Sequence, residues 1–182
     1  NAGAKRVILA REVSIQECLE IQKHCDVELE IFVHGAMCAS YSGKCTISNY
    51  TAGRDSNRGG CVQSCRHNYQ IQNDTQKETD SIHTHIMNAK DLLGLSLLPD
   101  AIQAGITSLK VEGRMKSNLY VANTIATYRK AIDQITDALN TTSPLPNLNT
   151  LISELNIVSN RTFSTGGLES RPDGDSIYYD FA

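Results

Sequence analysis

The sequence lacks the features that mark membrane and secreted proteins. No uninterrupted apolar run approaches the roughly 20 residues of a transmembrane helix, and no basic segment followed by an apolar stretch opens the chain as a signal peptide does. The protein is therefore expected to be cytoplasmic. Because the cytosol keeps thiols reduced, its six cysteines predict thiolate chemistry rather than a disulfide framework.

A large excess of one charge is missing as well. The 182 residues carry a formal net charge of -3, so any RNA contact has to come from a local patch. One patch has a local charge of +3, because four cations face only Asp55 in a glycine-rich stretch: Lys44, Arg54, Arg58 and Arg66. A solvated loop and an RNA contact both fit this pattern.

Strand and helix patterns alternate along the chain, with 40% hydrophobic and 20% charged residues as in ordinary globular domains. Strands are predicted at 7–10, 29–33, 82–87 and 108–111. A helix follows the N-cap Ser14, and residues 91–105 are predicted to be helical with an interruption at Pro99. A long helix follows Ser117, with one buried stripe predicted at Val121, Ile125, Tyr128, Ile132, Ile135 and Leu139.

These parallel βα units predict an α/β fold, namely the C-terminal half of a (β/α)8 TIM-type barrel with a long Cys-rich loop. The partial barrel is expected to span residues 1–140, with the Cys-rich segment at 34–66. Residues 141–182 are expected to form a linker, a short helix and the start of a C-terminal extension. A half barrel exposes apolar edges, so self-association is also predicted.

Reactive groups of such barrels follow the C-terminal ends of the strands. Three runs are expected there, on one side of the sheet: 11–12, 34–38 and 112–116. In the last run Glu112, Arg114 and Lys116 precede the Ser117 cap, where free backbone N–H groups attract anions. The alternative is a surface ion pair between Glu112 and Arg114. The run 88–91 is expected to have a similar role at the rim.

Four cysteines form the pattern C-x6-C-x15-C-x3-C: Cys38, Cys45, Cys61 and Cys65. Four thiolates suit an iron-sulfur cluster or a structural zinc, although the tight C-x2-C knuckles of zinc ribbons are missing. A buried set without a metal also fits the spacing. Cys18 and Cys25 lie on one side of a predicted helix and are expected to be packing thiols. His34 and His67 are candidates for ligands or proton carriers, or for structural roles.

Several longer runs resemble the motifs of a known family. They are Glu-Ile-Phe-Val-His-Gly-Ala-Met-Cys at 30–38, Tyr-Ser-Gly-Lys-Cys at 41–45, Gly-Arg-Asp-Ser-Asn-Arg-Gly-Gly-Cys at 53–61, Met-Asn-Ala-Lys-Asp-Leu at 87–92 and Lys-Val-Glu-Gly-Arg-Met-Lys-Ser at 110–117. Together they resemble the peptidase U32 family of collagenase-like proteases. Within it, the arrangement is most similar to the branch that hydroxylates the wobble uridine of tRNA.

This resemblance implies an oxygen-independent hydroxylation that forms 5-hydroxyuridine, with prephenate as hydroxyl donor and a 4Fe-4S cluster. It makes the four cysteines the cluster ligands, with zinc as the alternative metal. The roles of the other residues are inferred from charge and position and not from the resemblance. On that basis Glu112, Arg114 and Lys116 are the catalytic candidates. The candidates for binding tRNA or the dicarboxylate prephenate are Arg54, Arg58, Arg66, Asn88 and Lys90.

Two departures and two alternatives accompany the resemblance. Some relatives carry a cysteine directly after the Lys-Asp-Leu run, where this chain has Leu93 or Gly94, and family members are longer at the N-terminus. The older protease label implies a collagenase-like peptidase, but it brings no nucleophile to any residue of this chain. The other alternative is a structural module that binds partners without turnover.

Overall fold

The computed structural model describes residues 3–71 and 82–169. Their strands are β1 (Arg6–Ile8), β2 (Glu28–Ala36), β3 (Tyr69–Ile71), β4 (Ile82–Thr84), β5 (Asp91–Leu93), β6 (Ser108–Glu112) and β7 (Phe163–Ser164). Their helices are α1 (Ile15–His24), α2 (Ile47–Ala52), α3 (Leu98–Gln103), α4 (Asn118–Thr141) and α5 (Asn149–Asn156). In this part of the chain, no helix is both long and apolar enough to span a bilayer.

The described residues divide into two compact units. Unit 1 comprises 3–36 and 91–169, and unit 2 comprises 37–71 and 82–90. Unit 1 contains the larger sheet and four of the helices, whereas unit 2 contains α2 and the hairpin of β3 and β4. The predicted α/β class is confirmed. The division at 140/141 and the half barrel stay predictions.

Strand β2 is the centre of the unit 1 sheet. It pairs in parallel with β1 and β6, which lie on opposite edges because Glu30 faces both Ile8 and Ser108. These three strands have the predicted parallel direction. Strand β5 differs, since it runs antiparallel to β2 with Leu93 opposite His34. The chain enters β5 from the long 37–90 segment rather than through a single helical crossover, so the rule that makes strands parallel does not apply there.

Helix α1 begins where the sequence predicts. The Ser14 hydroxyl accepts a hydrogen bond from the Glu17 N–H at 3.2 Å, and the Glu17 carboxylate accepts one from the Ser14 N–H at 2.7 Å. This reciprocal capping box satisfies backbone donors that the first helical turn leaves open. Ser117 likewise caps α4, because its hydroxyl accepts from the Tyr120 N–H at 3.2 Å.

The buried face of α4 differs from the predicted one. Of the predicted stripe only Tyr128 and Ile135 are buried, while Val121, Ile125 and Leu139 are exposed. The face that packs is Tyr120, Thr124, Thr127, Tyr128, Ala131, Ile135 and Ala138. Small side chains on this face allow close approach, and the buried Tyr128 hydroxyl donates to the Val33 carbonyl at 2.8 Å.

The helix predicted over 91–105 is confirmed only in its second half. Residues Asp91–Leu93 form β5, Leu95–Leu97 form a 3-10 turn, and α3 covers Leu98–Gln103. Pro99 stands in the first turn of α3, where its missing N–H has no helical partner to lose. The proline therefore marks the start of a helix and not an interruption within one.

Gly35 lets β2 approach β6 closely. Its φ is +102°, and a Cβ at this position lies 2.0 Å from the carbonyl oxygen of Glu112. We expect Gly35→Ala to lower the free energy of unfolding by about 2–5 kcal/mol, because backbone strain and a clash with main chain add. Gly43→Ala is the matched control, since Gly43 has a φ of +74° but open space around it. Denaturant unfolding of both variants separates the two effects, and equal losses would contradict the close approach.

Candidate functional site

The four cysteines of the predicted site all belong to unit 2, and each is a free thiol. Cys38 is exposed just after β2, Cys45 precedes α2, and Cys61 and Cys65 flank the start of the 3-10 turn Ser64–Arg66. Cys18 and Cys25 belong to unit 1 instead. Cys18 is buried in α1, as expected of a packing residue.

The four thiols are close enough to influence one another's charge. Burial raises the pKa of the Cys65 thiol, the neighbouring Arg66 charge opposes this, and the other three thiols raise it further. The pKa of Cys45 is lowered, first by the Ser56 hydroxyl and also by the N–H groups of Ile47 and Ser48 at the start of α2. Cys45 is thus the thiol whose surroundings most favour the thiolate.

This donor set fits an iron-sulfur cluster in its chemistry. Among the described residues, no three His, Cys, Asp or Glu side chains converge on a point where one metal ion would bind. A single zinc requires each sulfur at about 2.3 Å from the same ion. In a 4Fe-4S cluster each thiolate binds a different iron atom, so the ligands stand farther apart. The charges of Cys38, Cys45 and Cys61 all act on the Cys65 thiol, and four thiolates are the ligand set that such clusters use.

Hydrogen bonds fix the backbone on which these cysteines stand. The Asn57 side-chain amide donates to the Cys45 carbonyl at 3.0 Å. Tyr69 donates its hydroxyl to the carbonyl of Ser64 at 2.7 Å, and the hydroxyls of Thr51 and Ser64 lie 2.6 Å apart. The segment predicted to be an irregular loop is therefore ordered by polar contacts, with α2 and two 3-10 turns inside it.

Arg66 links three segments of unit 2. Its guanidinium donates to the Asn88 side-chain oxygen and the Ala89 carbonyl, both at 2.8 Å, and to the Met37 carbonyl beside Cys38. Asn88 is fully buried. The sequence analysis predicted that Arg66 and Asn88 bind substrate. In the structure these two side chains are hydrogen-bonded to each other. Arg66 holds the segments of Cys38 and Cys65 together, which makes it a positioning residue.

The remaining cations predicted in unit 2 are more accessible. Arg54 is exposed, and Lys90 is half-buried. Arg58 is 87% exposed and pairs with Asp55 at 3.3 Å. An ion pair this exposed contributes little to stability, so the guanidinium of Arg58 is free to exchange partners.

Lys116, predicted to be catalytic, pairs with a buried acid in unit 1. Asp91 is fully buried and accepts from Lys116 at 2.9 Å and from the Arg161 guanidinium. Burial alone raises the pKa of this carboxyl, yet Arg161 and Lys116 outweigh it and hold the pKa below its ordinary value. Lys116 is therefore engaged in an internal ion pair.

His34 lies inside β2 and not beyond its end, because the strand continues to Ala36. It is fully buried against the rings of Tyr120, Tyr128 and Phe163. Burial lowers its pKa to about 4, so the imidazole is neutral at pH 7. His67, the other histidine candidate, is exposed in unit 2.

Two of the predicted rim runs do meet in unit 1. The Arg11 guanidinium lies 3.3 Å from the Glu112 carboxylate, so Glu112 pairs across the sheet rather than with Arg114. Arg114 itself is exposed. Sequence reasoning missed Lys110 as a site residue, although Lys110 and Glu112 are two positions apart on β6 and therefore share a face. The Lys110 ammonium lies 4.9 Å from the centre of the Phe32 ring.

The chain is an α/β protein whose unit 2 carries four free thiols. The model of Peptidase family U32 matches residues 1–177, and the chain belongs to this family. No solved structure matches the chain.

Three relatives illustrate the names found in the family. The tRNA hydroxylation protein P1 of Bacillus subtilis is 46% identical over 136 residues, which cover 72% of this chain and 32% of that protein. The tRNA hydroxylation protein P of Helicobacter pylori is 41% identical over 182 residues, covering 94% of this chain and 42% of that protein. A collagenase of Porphyromonas gingivalis is 33% identical over 139 residues, covering 70% of this chain and 34% of that protein. The chain thus spans less than half the length of each.

The Asp91 ion pairs should dominate the acid stability of unit 1. We expect Asp91→Asn to cost about 3–5 kcal/mol at pH 7, because two half-buried cations lose their anion. The folded pKa of Asp91 is depressed, so its stabilisation is complete above the unfolded value of about 3.9 and is lost as the pH falls below it. The difference between wild type and variant in urea unfolding should therefore shrink below about pH 4.

Asp133→Asn is the matched control for Asp91→Asn. Asp133 pairs with Arg129 at 2.5 Å, but both side chains are more than half exposed. Its loss should cost no more than about 1 kcal/mol at any pH. Similar losses in the free energy of unfolding for the two variants would contradict a larger contribution from the buried ion pairs.

Arg66 should set the distance between Cys38 and Cys65. We expect Arg66→Ala to slow their crosslinking by dibromobimane about tenfold, since losing charge-assisted hydrogen bonds lets the segments separate. The rate is measured by mass spectrometry on metal-free chain whose other four cysteines are serine. Arg54→Ala removes an exposed guanidinium nearby in sequence and should leave the rate unchanged. An unchanged rate in Arg66→Ala would remove the positioning role.

Proposed function

We propose that this chain is the cysteine-bearing part of an RNA hydroxylase that forms 5-hydroxyuridine at the wobble position of tRNA. The observation that carries the proposal is the grouping of four free thiols around Cys65 in a member of a family whose relatives include tRNA hydroxylation proteins. Prephenate as hydroxyl donor and a 4Fe-4S cluster complete it. We expect the protein to be cytoplasmic, because tRNA is found there and the cytosol keeps thiols reduced.

The four cysteines would hold the cluster, and when bound it would supply one-electron chemistry to the reaction. Cys45 is prepared as a ligand, because hydrogen bonds that lower its pKa already favour the thiolate. Arg66 keeps the segments before Cys38 and around Cys65 at a fixed separation. The exposed guanidinium groups of Arg54 and Arg58 are suited to RNA phosphates, which need protruding cations.

A collagenase-like peptidase is the second candidate, because one relative carries the name collagenase. Such an enzyme needs an activated nucleophile beside a base. Cys45 has a lowered pKa, but hydrogen bonds to hydroxyl and backbone groups account for the shift, with no histidine among its causes. The His34 ring contacts the Tyr128 hydroxyl at 3.4 Å. The thiol surroundings therefore favour ligand chemistry over a nucleophile.

The test is purification without oxygen, followed by iron and acid-labile sulfide analysis and a visible spectrum. About four iron atoms per chain are expected, together with prephenate-dependent 5-hydroxyuridine in tRNA, measured by mass spectrometry of nucleosides. Cys45→Ala should lose both. Cys25→Ala, which removes a half-buried thiol of unit 1, should keep both.

Two other results would redirect the assignment. Zinc alone, or no metal with folding retained and equal behaviour of the two cysteine variants, would contradict the hydroxylase. Cleavage of denatured collagen that survives in Cys25→Ala and disappears in Cys45→Ala would favour the peptidase.

A further inference from the structure

One face of the unit 1 sheet gathers two cations around a single aromatic ring. Phe32 of β2 stands directly opposite Lys110 of β6, and the Lys110 ammonium is 4.9 Å from the ring centre. The Arg11 guanidinium carbon is 4.3 Å from the same centre. With Glu112, which pairs with Arg11, these residues form what we call the Phe32 cluster.

The charges of the Phe32 cluster do not balance. The Glu112 carboxylate lies 3.3 Å from Arg11 and neutralises that cation. Within the described part of the chain, no acidic group forms an ion pair with Lys110. The Lys110 side chain is half-buried, and a cation withdrawn from water gains more from an anion than an exposed one does. Among the described residues Lys110 thus has no ion-pair partner, and the Glu30 carboxylate on the same face accepts a hydrogen bond from Ser108.

Part of the cluster lies at the edge of the sheet where ligands of α/β proteins bind. Arg11 follows β1 and Glu112 ends β6, and both strands run parallel to β2. In open α/β sheets, ligands bind beyond the carboxyl ends of parallel strands. Arg11 and Glu112 reach that edge, whereas Phe32 and Lys110 lie four and two residues before the ends of β2 and β6. Cation–π contacts with Phe32 hold the two cations in place before any ligand arrives, which lowers the ordering cost of binding.

We propose that the Phe32 cluster binds a small organic carboxylate, with Lys110 as its main charge partner. This inference rests on the proposed function, because it gives residues to the small acid that the hydroxylation needs. Lys116, a catalytic candidate of the sequence analysis, is less suited to this role, since it already pairs with the buried Asp91.

Exposure distinguishes a small acid from an RNA phosphate as the ligand. The Arg11 and Glu112 side chains are only 19% and 30% exposed, so a polymer backbone has little access to them. Arg58 of unit 2 is 87% exposed and has the accessibility that RNA contacts require. The two kinds of cation therefore suit two different ligands.

The test measures binding of prephenate to the purified chain by calorimetry. Lys110→Met keeps the length of the side chain and removes its charge, and should weaken binding about tenfold or more. Lys110→Arg should retain most of the affinity. Lys23→Met is the matched control, because Lys23 is exposed on α1 and pairs with its helix neighbour Glu20. Melting temperatures of all variants check that the fold persists.

Binding of tRNA to the same variants separates this inference from the proposed function. Lys110→Met should leave tRNA affinity unchanged, whereas Arg58→Ala should weaken it and lower the salt slope by about one. If prephenate binding depends on Lys110 but no hydroxylated uridine forms, the proposed function is wrong and the binding site is still supported. The site itself is overturned if wild type does not bind prephenate, if Lys110→Met binds it like Lys23→Met, or if Lys110→Met loses tRNA affinity.

Discussion

The buried carboxylate of Asp91 is the contact on which the order of unit 1 depends. It begins β5, accepts from Lys116 just before α4, and accepts from Arg161 just before β7. A charge removed from water at this depth is tolerable only with close partners, so the three elements must stay together for any of them to stay folded. The same pairing keeps Lys116 from serving as a free cation. One acid thus fixes both the architecture of this unit and the choice of groups left for ligands.

Unit 2 is held by a different kind of force. Its described residues bury few apolar side chains, chiefly Met37 and Ala89, whereas Ser48, Ser64 and Asn88 are buried polar groups. Hydrogen bonds to carbonyls and hydroxyls therefore hold the segments of unit 2 in place, a role that buried apolar side chains have in unit 1. Such a network contributes modest net stability, so metal coordination by the cysteines would add folding free energy as well as chemistry.

The sequence predicted what local rules control. The caps at Ser14 and Ser117, the strands near 29–33 and 108–111, and the separation of Cys18 and Cys25 from the other thiols were all predictable from spacing and capping chemistry. Long-range pairing was not. The burial of Asp91, the use of Arg66 as a clamp and the rotation of the buried face of α4 depend on partners more than 20 residues away, as in the Asp91 to Lys116 and Arg66 to Asn88 contacts. A stripe of apolar residues identifies a helix, but its exact facing is set by the surface it meets.

The division of cations follows from these constraints. A half-buried cation of unit 1 either pairs with an internal acid, as Lys116 does, or contacts a ring without an ion pair among the described residues, as Lys110 does. A cation on a polar loop, such as Arg58, remains exposed because its contacts are too weak to offset the free-energy cost of removing its hydration. The proposed hydroxyl transfer from a small acid to a polyanion would use both kinds, since one anion would be enclosed and the other reached from outside. The exposure of each basic residue therefore decides whether only a small anion or also a polyanion is able to contact it.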